Sequence, residues 1–411
     1  MAERLDKHIL NNGMVILGEP MNAVASVAFN FMLPAGAALL PEGCCGAASV
    51  ISDWIFRGAA DKTSRQLGDA LDSLGLHRSI AVNSSHITIG AALEAGNLAD
   101  ALELYADIIR RPSLKDDQFE LARKLAVDEV IALDDNPQQK VMLKLRENFY
   151  PYPLGRSTEG NIEELNALTA QKTKQIICDH FNASQTIFAV AGKYNFDAVC
   201  RQMENLFETD IQKSAAPLTL GPRANGYTHI HNDGAQVHIG LMTETVTLSH
   251  KDYYNARVAI SVLSGGMSAR LFTEVREKRG LCYAIGARYN SLKDAAGIAC
   301  YAGTIPEKAQ QTLDLIIAEF NRLSEGIAEE EIKTAKAELK SALILQSESS
   351  SSRASGIGSD FYLLGTVRFL DEIKEKIEQT SVESVLEFLR NNKFRDFTVV
   401  TIGPKQVKIG S

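Results

Sequence analysis

Ile89-Gly-Ala-Ala-Leu-Glu-Ala-Gly-Asn-Leu-Ala-Asp-Ala-Leu102 has a counterpart later in the chain, Ala299-Cys-Tyr-Ala-Gly-Thr-Ile-Pro-Glu-Lys-Ala-Gln-Gln-Thr-Leu313. Each reads as a strand of small residues, a short turn and an amphipathic helix. The helix faces carry Leu102, Ala106 and Ile109 in one copy and Leu313, Ile317 and Phe320 in the other. A turn and a second helix follow each, Asp116 to Leu133 and Glu329 to Leu345. Leu102 and Leu313 lie 211 residues apart. So do Gly192 and Gly403, which close the apolar strands Thr186-Ile-Phe-Ala-Val-Ala-Gly192 and Thr398-Val-Val-Thr-Ile-Gly403. Two landmarks with one offset, close to half of the 411 residues, imply an internal duplication.

The joint between the copies is expected in the polar, turn-rich stretch from Thr209 to Gly226, with Ser214-Ala-Ala-Pro217 and Gly221-Pro-Arg-Ala-Asn-Gly226. This gives an N-terminal half, residues 1–212, a linker, 213–226, and a C-terminal half, 227–411. Gln236 to Met242 and Ser26 to Leu33 alternate like half-buried strands. Strands interleaved with long helices outside a βαβ rhythm predict an α+β fold, each half a mostly antiparallel sheet layered with helices. The Ser-rich run Ser347 to Ser355 sits between an apolar helix and Phe361-Tyr-Leu-Leu364, so it reads as small residues on a packed helix rather than as a linker.

Composition narrows the function. Apolar residues make up 45% and charged residues 23%, an ordinary globular balance that argues against disorder. The net charge of −8 without a basic block argues against nucleic acid as the main partner. The most apolar stretch, Val24 to Leu40, is broken by Ser26, Asn30, Pro34 and Gly36 and is too short to span a bilayer. Six cysteines in 411 residues are too few for a disulfide scaffold and form no C-x-x-C pair, so a reduced protein is expected. The opening Met-Ala-Glu-Arg-Leu-Asp-Lys lacks a charged-then-apolar leader, so a cytoplasmic location is expected, or the mature form of an organellar protein. No two of the eight histidines stand four apart; His229 and His231 would share one face of a strand and are assigned to an exposed edge.

The duplicated plan and its phrases resemble the insulinase/pitrilysin family, most closely half-size chains such as the subunits of mitochondrial processing peptidases. Asp135-Asn-Pro137, Pro153-Leu-Gly-Arg156 and Ala191-Gly192 carry the resemblance in the first half. In the second half it rests on the long phrase Gly265-Gly-Met-Ser-Ala-Arg-Leu-Phe-Thr-Glu-Val-Arg-Glu-Lys-Arg-Gly-Leu-Cys-Tyr283.

The resemblance implies where chemistry should be sought. Active members hold zinc on an inverted H-x-x-E-H helix, two His on one helical face with the Glu as general base, and take a third ligand Glu about 76 residues on. Here Trp54 to Gly58 matches the end of that helix. The register puts Ser49 and Asp53 where the His would stand and Ser52 where the base would stand. Glu129, 76 residues after Asp53, occupies the third-ligand position. Neutral hydroxyls are weak ligands, and carboxylates without imidazole suit Mg²⁺ or Ca²⁺ better than Zn²⁺. The expectation is therefore no metal and no catalytic residue of its own, with Ser49, Ser52, Asp53 and Glu129 as degenerate positions. The family's substrate-pairing strand is altered too, reading Leu74-Gly-Leu-His-Arg-Ser-Ile80.

The second half keeps what the first lost. Peptide-cleaving relatives use an Arg and a Tyr seven residues apart to grip the substrate backbone and assist the oxyanion, and Arg276 and Tyr283 stand at that spacing. Gly280 between them is expected to end a helix so that Tyr283 opens the next strand. The implied function is a non-catalytic, substrate-binding subunit of a two-chain zinc endopeptidase that closes on extended peptides. The zinc would sit on a homologous H-x-x-E-H-bearing partner in a heterodimer, or the chain would pair with itself. The rivals are an inactive scaffold, like the core subunits of a respiratory complex, and a self-sufficient peptidase with unusual ligands.

Overall fold

The computed structural model describes residues 4–208, 218–223 and 226–409. The first half forms strands β1 (Asp6–Ile9), β2 (Val15–Pro20), β3 (Ser26–Leu33), β4 (Gly58–Ala59), β5 (Lys62–Thr63), β6 (His77–Val82), β7 (Ile87–Glu94) and β8 (Ile187–Gly192). Its helices are α1 (Ala47–Trp54), α2 (Ser64–Ser73), α3 (Leu98–Arg110), α4 (Asp116–Ala132), α5 (Pro137–Phe149), α6 (Ile162–Ala167), α7 (Ala170–His180) and α8 (Phe196–Phe207). The second half forms β9 (Tyr227–His231), β10 (Val237–Glu244), β11 (Ala284–Ser291), β12 (Ala296–Thr304) and β13 (Thr398–Gly403). Its helices are α9 (Tyr253–Ser264), α10 (Ala309–Arg322), α11 (Glu329–Ser347), α12 (Ser350–Leu364), α13 (Leu370–Gln379) and α14 (Val382–Asn391).

The duplication is visible strand by strand. One sheet runs β1-β2-β8-β3-β7-β6 and the other β11-β12-β10-β13-β9. Read from the edge, β6-β7-β3-β8-β2 and β11-β12-β10-β13-β9 are the same order. Each sheet has one parallel pair, β2 with β8 and β13 with β9; its other neighbours are antiparallel. The glycines 211 apart do the same work. Gly192 and Gly403 take φ of 120° and 156°, and a Cβ on them would meet Ser26 O at 2.4 Å and Gln236 O at 2.7 Å. Only glycine fits where strand end and neighbouring backbone come this close.

The chain forms two compact units that do not follow the sequence halves throughout. Unit 1 comprises Met1–Ala132, Tyr152–Gly221 and Gln346–Val367; unit 2 comprises Leu133–Pro151, Pro222–Leu345 and Arg368–Ser411. Each half thus lends one helix to the other half's sheet. Within unit 1, α12 lies on β2, β3 and β8; within unit 2, α5 lies on β10 and β13. Of the expected linker, 213–217 and 224–225 lie outside the described residues.

This exchange corrects the reading of β3 and β10 as half-buried. Seven of eight residues are buried in each. In β3, Val27, Phe29, Phe31 and Leu33 enter the main core, while Ala28 and Met32 face α12. That second face is cut small: Ala354 of α12 packs on Ala28 and Ala191, and Ile357 packs among Leu17, Met32, Ile187 and Ala189. Arg353 also reaches Glu19 with two hydrogen bonds, at 2.7 and 2.5 Å. The Ser-rich run does enter this packed helix. Ser349 caps it by accepting from the Ser352 amide at 3.3 Å.

Candidate functional site

In unit 1 the site is built on α1. The helix buries Ala47, Ala48, Val50, Ile51 and Trp54, so Ser49, Ser52 and Asp53 are left half-exposed on its other face. Trp54 docks α1 on α4: its ring meets Phe119 edge-on at 4.9 Å and its Nε1–H donates to Lys115 O at 3.1 Å. Ala122 and Ala126 of α4 are buried, and Glu129, one further turn along, is exposed. Helical spacing therefore brings Glu129 to the side of α4 that carries these two alanines.

Two polar groups of this face are taken up locally. The Ser52 hydroxyl donates to Ser49 O at 2.8 Å, within its own helix. Asp53 forms an ion pair with Arg57, one turn on. No imidazole stands at the metal positions, and the donor set does not fit zinc. Among the described residues no group of three or more His, Cys, Asp or Glu gathers as a metal site.

Glu159 joins this face without any forewarning in the sequence reading. Gly160 lies so close to the start of α1 that a Cβ on it would meet Gly46 Cα at 2.5 Å. This contact carries Glu159 to the site, where burial and the charge of Glu129 raise its carboxyl above the ordinary value. The nearby landmark Pro153 to Arg156 was the only signal that this loop mattered. Beside α1, β6 forms the sheet's outer edge with five of its six residues exposed, and Ile80 is among them. The altered segment Leu74 to Ile80 therefore ends on an open strand edge, to which an extended peptide can pair.

In unit 2 the Arg and Tyr flank a turn pinned from several sides. Phe272–Glu277 is a π-helix, and the wide turn is visible in the Lys278 amide donating to Thr273 O at 2.9 Å. Such turns are rare and often mark functional sites. Glu274 accepts from Lys278 and Arg279, both at 2.7 Å, and these bonds pull its carboxyl down to about 2. Arg276 has no carboxylate partner among the described residues; its guanidinium lies 4.8 Å from the Phe272 ring centroid. Gly280 takes φ +55°, Lys308 Nζ donates to its carbonyl at 2.9 Å, and Thr304 Oγ1 donates to Leu281 O at 2.5 Å.

Tyr283 then enters the sheet one residue before β11, its amide donating to Gly303 O at 3.1 Å. Tyr283 is 46% exposed, and its hydroxyl donates to Gln236 Oε1 at 2.5 Å. Burial pushes the adjacent Cys282 thiol up to about 11, against the pull of Arg276. Like β6, β11 is the outer strand of its sheet. His229 and His231 lie on β9 at the opposite edge and turn to Thr401 and Asp233. No helix among the described residues is long and apolar enough to cross a membrane.

Two family models match. Residues 18–161 match "Insulinase (Peptidase family M16)" and residues 167–339 match "Peptidase M16 inactive domain". An uncharacterized zinc protease of Rickettsia felis is 26% identical, over 99% of this chain and 100% of its own. Among solved structures, a protease from Helicobacter pylori superposes with a TM-score of 0.90 at 19% identity, covering 98% of this chain and 100% of its own. A peptidase M16 inactive domain from Pseudomonas fluorescens gives 0.88 at 18%, covering 99% of each.

Proposed function

We propose that this chain, which belongs to the insulinase family of peptidases, family M16, is the non-catalytic, substrate-binding subunit of a two-chain zinc endopeptidase. One contrast carries the reading. On α1 Asp53 is held by Arg57 and the Ser52 hydroxyl by the Ser49 carbonyl, while among the described residues Arg276 lacks a carboxylate partner and Tyr283 stands exposed one residue before an edge strand. A planar guanidinium and a phenol are suited to the carbonyls of an extended peptide. The zinc and the general base belong, in this reading, to a homologous partner carrying an intact H-x-x-E-H, and the pair acts on peptides or unfolded segments. The self-sufficient peptidase is disfavoured by the Asp53–Arg57 ion pair, which a metal would have to break.

The test is reconstitution. Mixed with a homologous chain that carries H-x-x-E-H, this chain should give peptide cleavage that neither shows alone. Arg276→Ala should then lower kcat by roughly 10²- to 10³-fold, the usual cost of a lost transition-state donor, with assembly intact on gel filtration. An intact pair with undiminished activity would remove Arg276 from the reading.

A further inference from the structure

A cavity of about 600 Å³ opens in unit 2 where β10 ends, β12 begins and α14 runs out. Its size is that of a small-molecule site, roughly 300–1,000 Å³. It lies away from Tyr283. Gln236, which accepts from the Tyr283 hydroxyl, precedes the first residue of β10, whereas Glu244 in the cavity wall is the last. The intervening length of strand sets the two places roughly 25 Å apart.

The polar groups of its wall divide into those that are taken up and those that are not. Arg223 and Glu244 form an ion pair, and Arg395 lies 3.6 Å from the carboxylate of Asp396, so these four charges cancel in pairs. The Thr243 hydroxyl donates to Arg395 O at 2.7 Å, and the Asn392 side-chain amide donates to Phe388 O at 3.1 Å. Three charges are left over. Among the described residues the side chains of Arg390, Lys393 and Asp294 enter no hydrogen bond and no ion pair. The Thr245 hydroxyl, also in the wall, is buried without a hydrogen-bond partner. A lone exposed Lys or Arg needs no partner. Two of them facing one concavity with a free carboxylate and a buried free hydroxyl form a pattern that a ligand can complete.

The leftover charges are two positive and one negative, so the complementary ligand carries two carboxylates and one ammonium. We propose that this cavity binds an acidic zwitterion, either a short peptide with one acidic residue and free ends or a free acidic amino acid. Arg390 and Lys393 take the carboxylates, Asp294 takes the ammonium, and the Thr245 hydroxyl donates to a carboxylate oxygen. A phosphate or another plain anion fits less well, because it would face Asp294 with like charge.

The experiment is isothermal titration calorimetry on the full-length chain at low salt, with the tripeptide Ala-Glu-Ala and free glutamate as probes. Saturable binding is expected, weakening as salt is added. Acetylating the tripeptide's amine, or replacing its Glu by Gln, should each weaken binding by roughly 2- to 10-fold, and these comparisons need no protein variant. Asp294→Asn should bind the free tripeptide as weakly as the parent binds the acetylated one, and should bind the acetylated one no more weakly than the parent does. Arg390→Gln with Lys393→Gln should abolish the preference for Glu over Gln. All three charged positions are exposed, so these variants should keep the parent's melting temperature. Tighter binding of the tripeptide than of glutamate makes a peptide the occupant; the reverse makes it the amino acid. Absence of saturable binding at millimolar concentration, or affinities indifferent to acetylation and to Asp294→Asn, overturns the proposal. So does inorganic phosphate binding more tightly than either probe.

Discussion

Replacing Ile357 by alanine should loosen strands that lie more than 160 residues earlier in the sequence. Ile357 is 1% exposed and packs among Leu17, Met32, Ile187, Ala189 and Val367 on the second face of the unit 1 sheet. Truncating a buried Ile to Ala costs about 2–5 kcal/mol, the upper end applying where the walls cannot collapse. Strand backbones form one wall here, so relaxation into the gap is restricted. Native-state hydrogen exchange read by mass spectrometry is the assay. At 1.36 kcal/mol per factor of ten, amides of β2, β3 and β8 should exchange roughly 30- to several-thousand-fold faster when exchange follows opening of unit 1. Amides of β10 and β13 should hardly change. Leu145→Ala on α5, fully buried in unit 2, should give the reverse pattern. Equal loss of protection in both sheets, or loss confined to β10 and β13 in the Ile357 variant, would refute the argument from the exchanged helices.

The purified chain should hold no stoichiometric zinc and cleave no peptide alone, and one zinc per chain by elemental analysis would sink that expectation. Glu159 sets a pH dependence: its raised carboxyl favours folding while protonated, and that contribution fades as pH climbs from the ordinary carboxylate range through the raised value. Glu159→Gln should therefore raise the melting temperature at neutral pH and flatten its pH profile; a lower neutral-pH melting temperature would show that the carboxylate is stabilised there. Ser49→His, Ser52→Glu and Asp53→His together should restore zinc uptake with weak turnover, because Arg57 loses its partner and the new imidazoles lack orienting neighbours, a defect that typically costs roughly 10- to 100-fold. Turnover equal to that of the assembled pair would show that only the ligands had been missing.

Much of this fold was legible because duplication leaves its mark at positions where sterics permit one residue type. Gly192 and Gly403 persist since any side chain would strike a neighbouring strand, so their 211-residue offset survives divergence. The spacing of Ser49, Ser52 and Asp53 likewise placed them on one face of α1, opposite the buried Val50, Ile51 and Trp54. The helix exchange was not legible. The apolar faces of α5 and α12 demand a partner surface, yet periodicity does not say which sheet supplies it. Small and polar residues such as Ala28, Asn30 and Gly240 made β3 and β10 look half-solvated, whereas they leave room for a close-packed helix. The π-helix around Arg276 has no compositional signature, since its wide turn is a backbone register and not a residue choice. Glu159 is a single carboxylate whose placement follows from the Gly160–Gly46 approach, a contact between residues 114 apart.

The two units differ in how they use charge, and the difference bears on what each retains. On α1 two polar groups have settled on local partners: Ser52 on its own helix, Asp53 on Arg57. Around Arg276 the pairing is selective. Glu274 takes up Lys278 and Arg279 and, among the described residues, leaves Arg276 without a carboxylate, although the same helix offers Glu277 next to it. Three bonds from Lys308, Thr304 and Thr312 fix the turn at Gly280 and Leu281, and Gly303 clears the space that Tyr283 fills. Holding an exposed cation and phenol in fixed positions gains little for stability, since exposed groups of this kind contribute about 0–1 kcal/mol at best. In the proposed reading the Arg276 guanidinium, without a carboxylate partner among the described residues, is kept for the backbone of another chain, while the Tyr283 hydroxyl rests on Gln236.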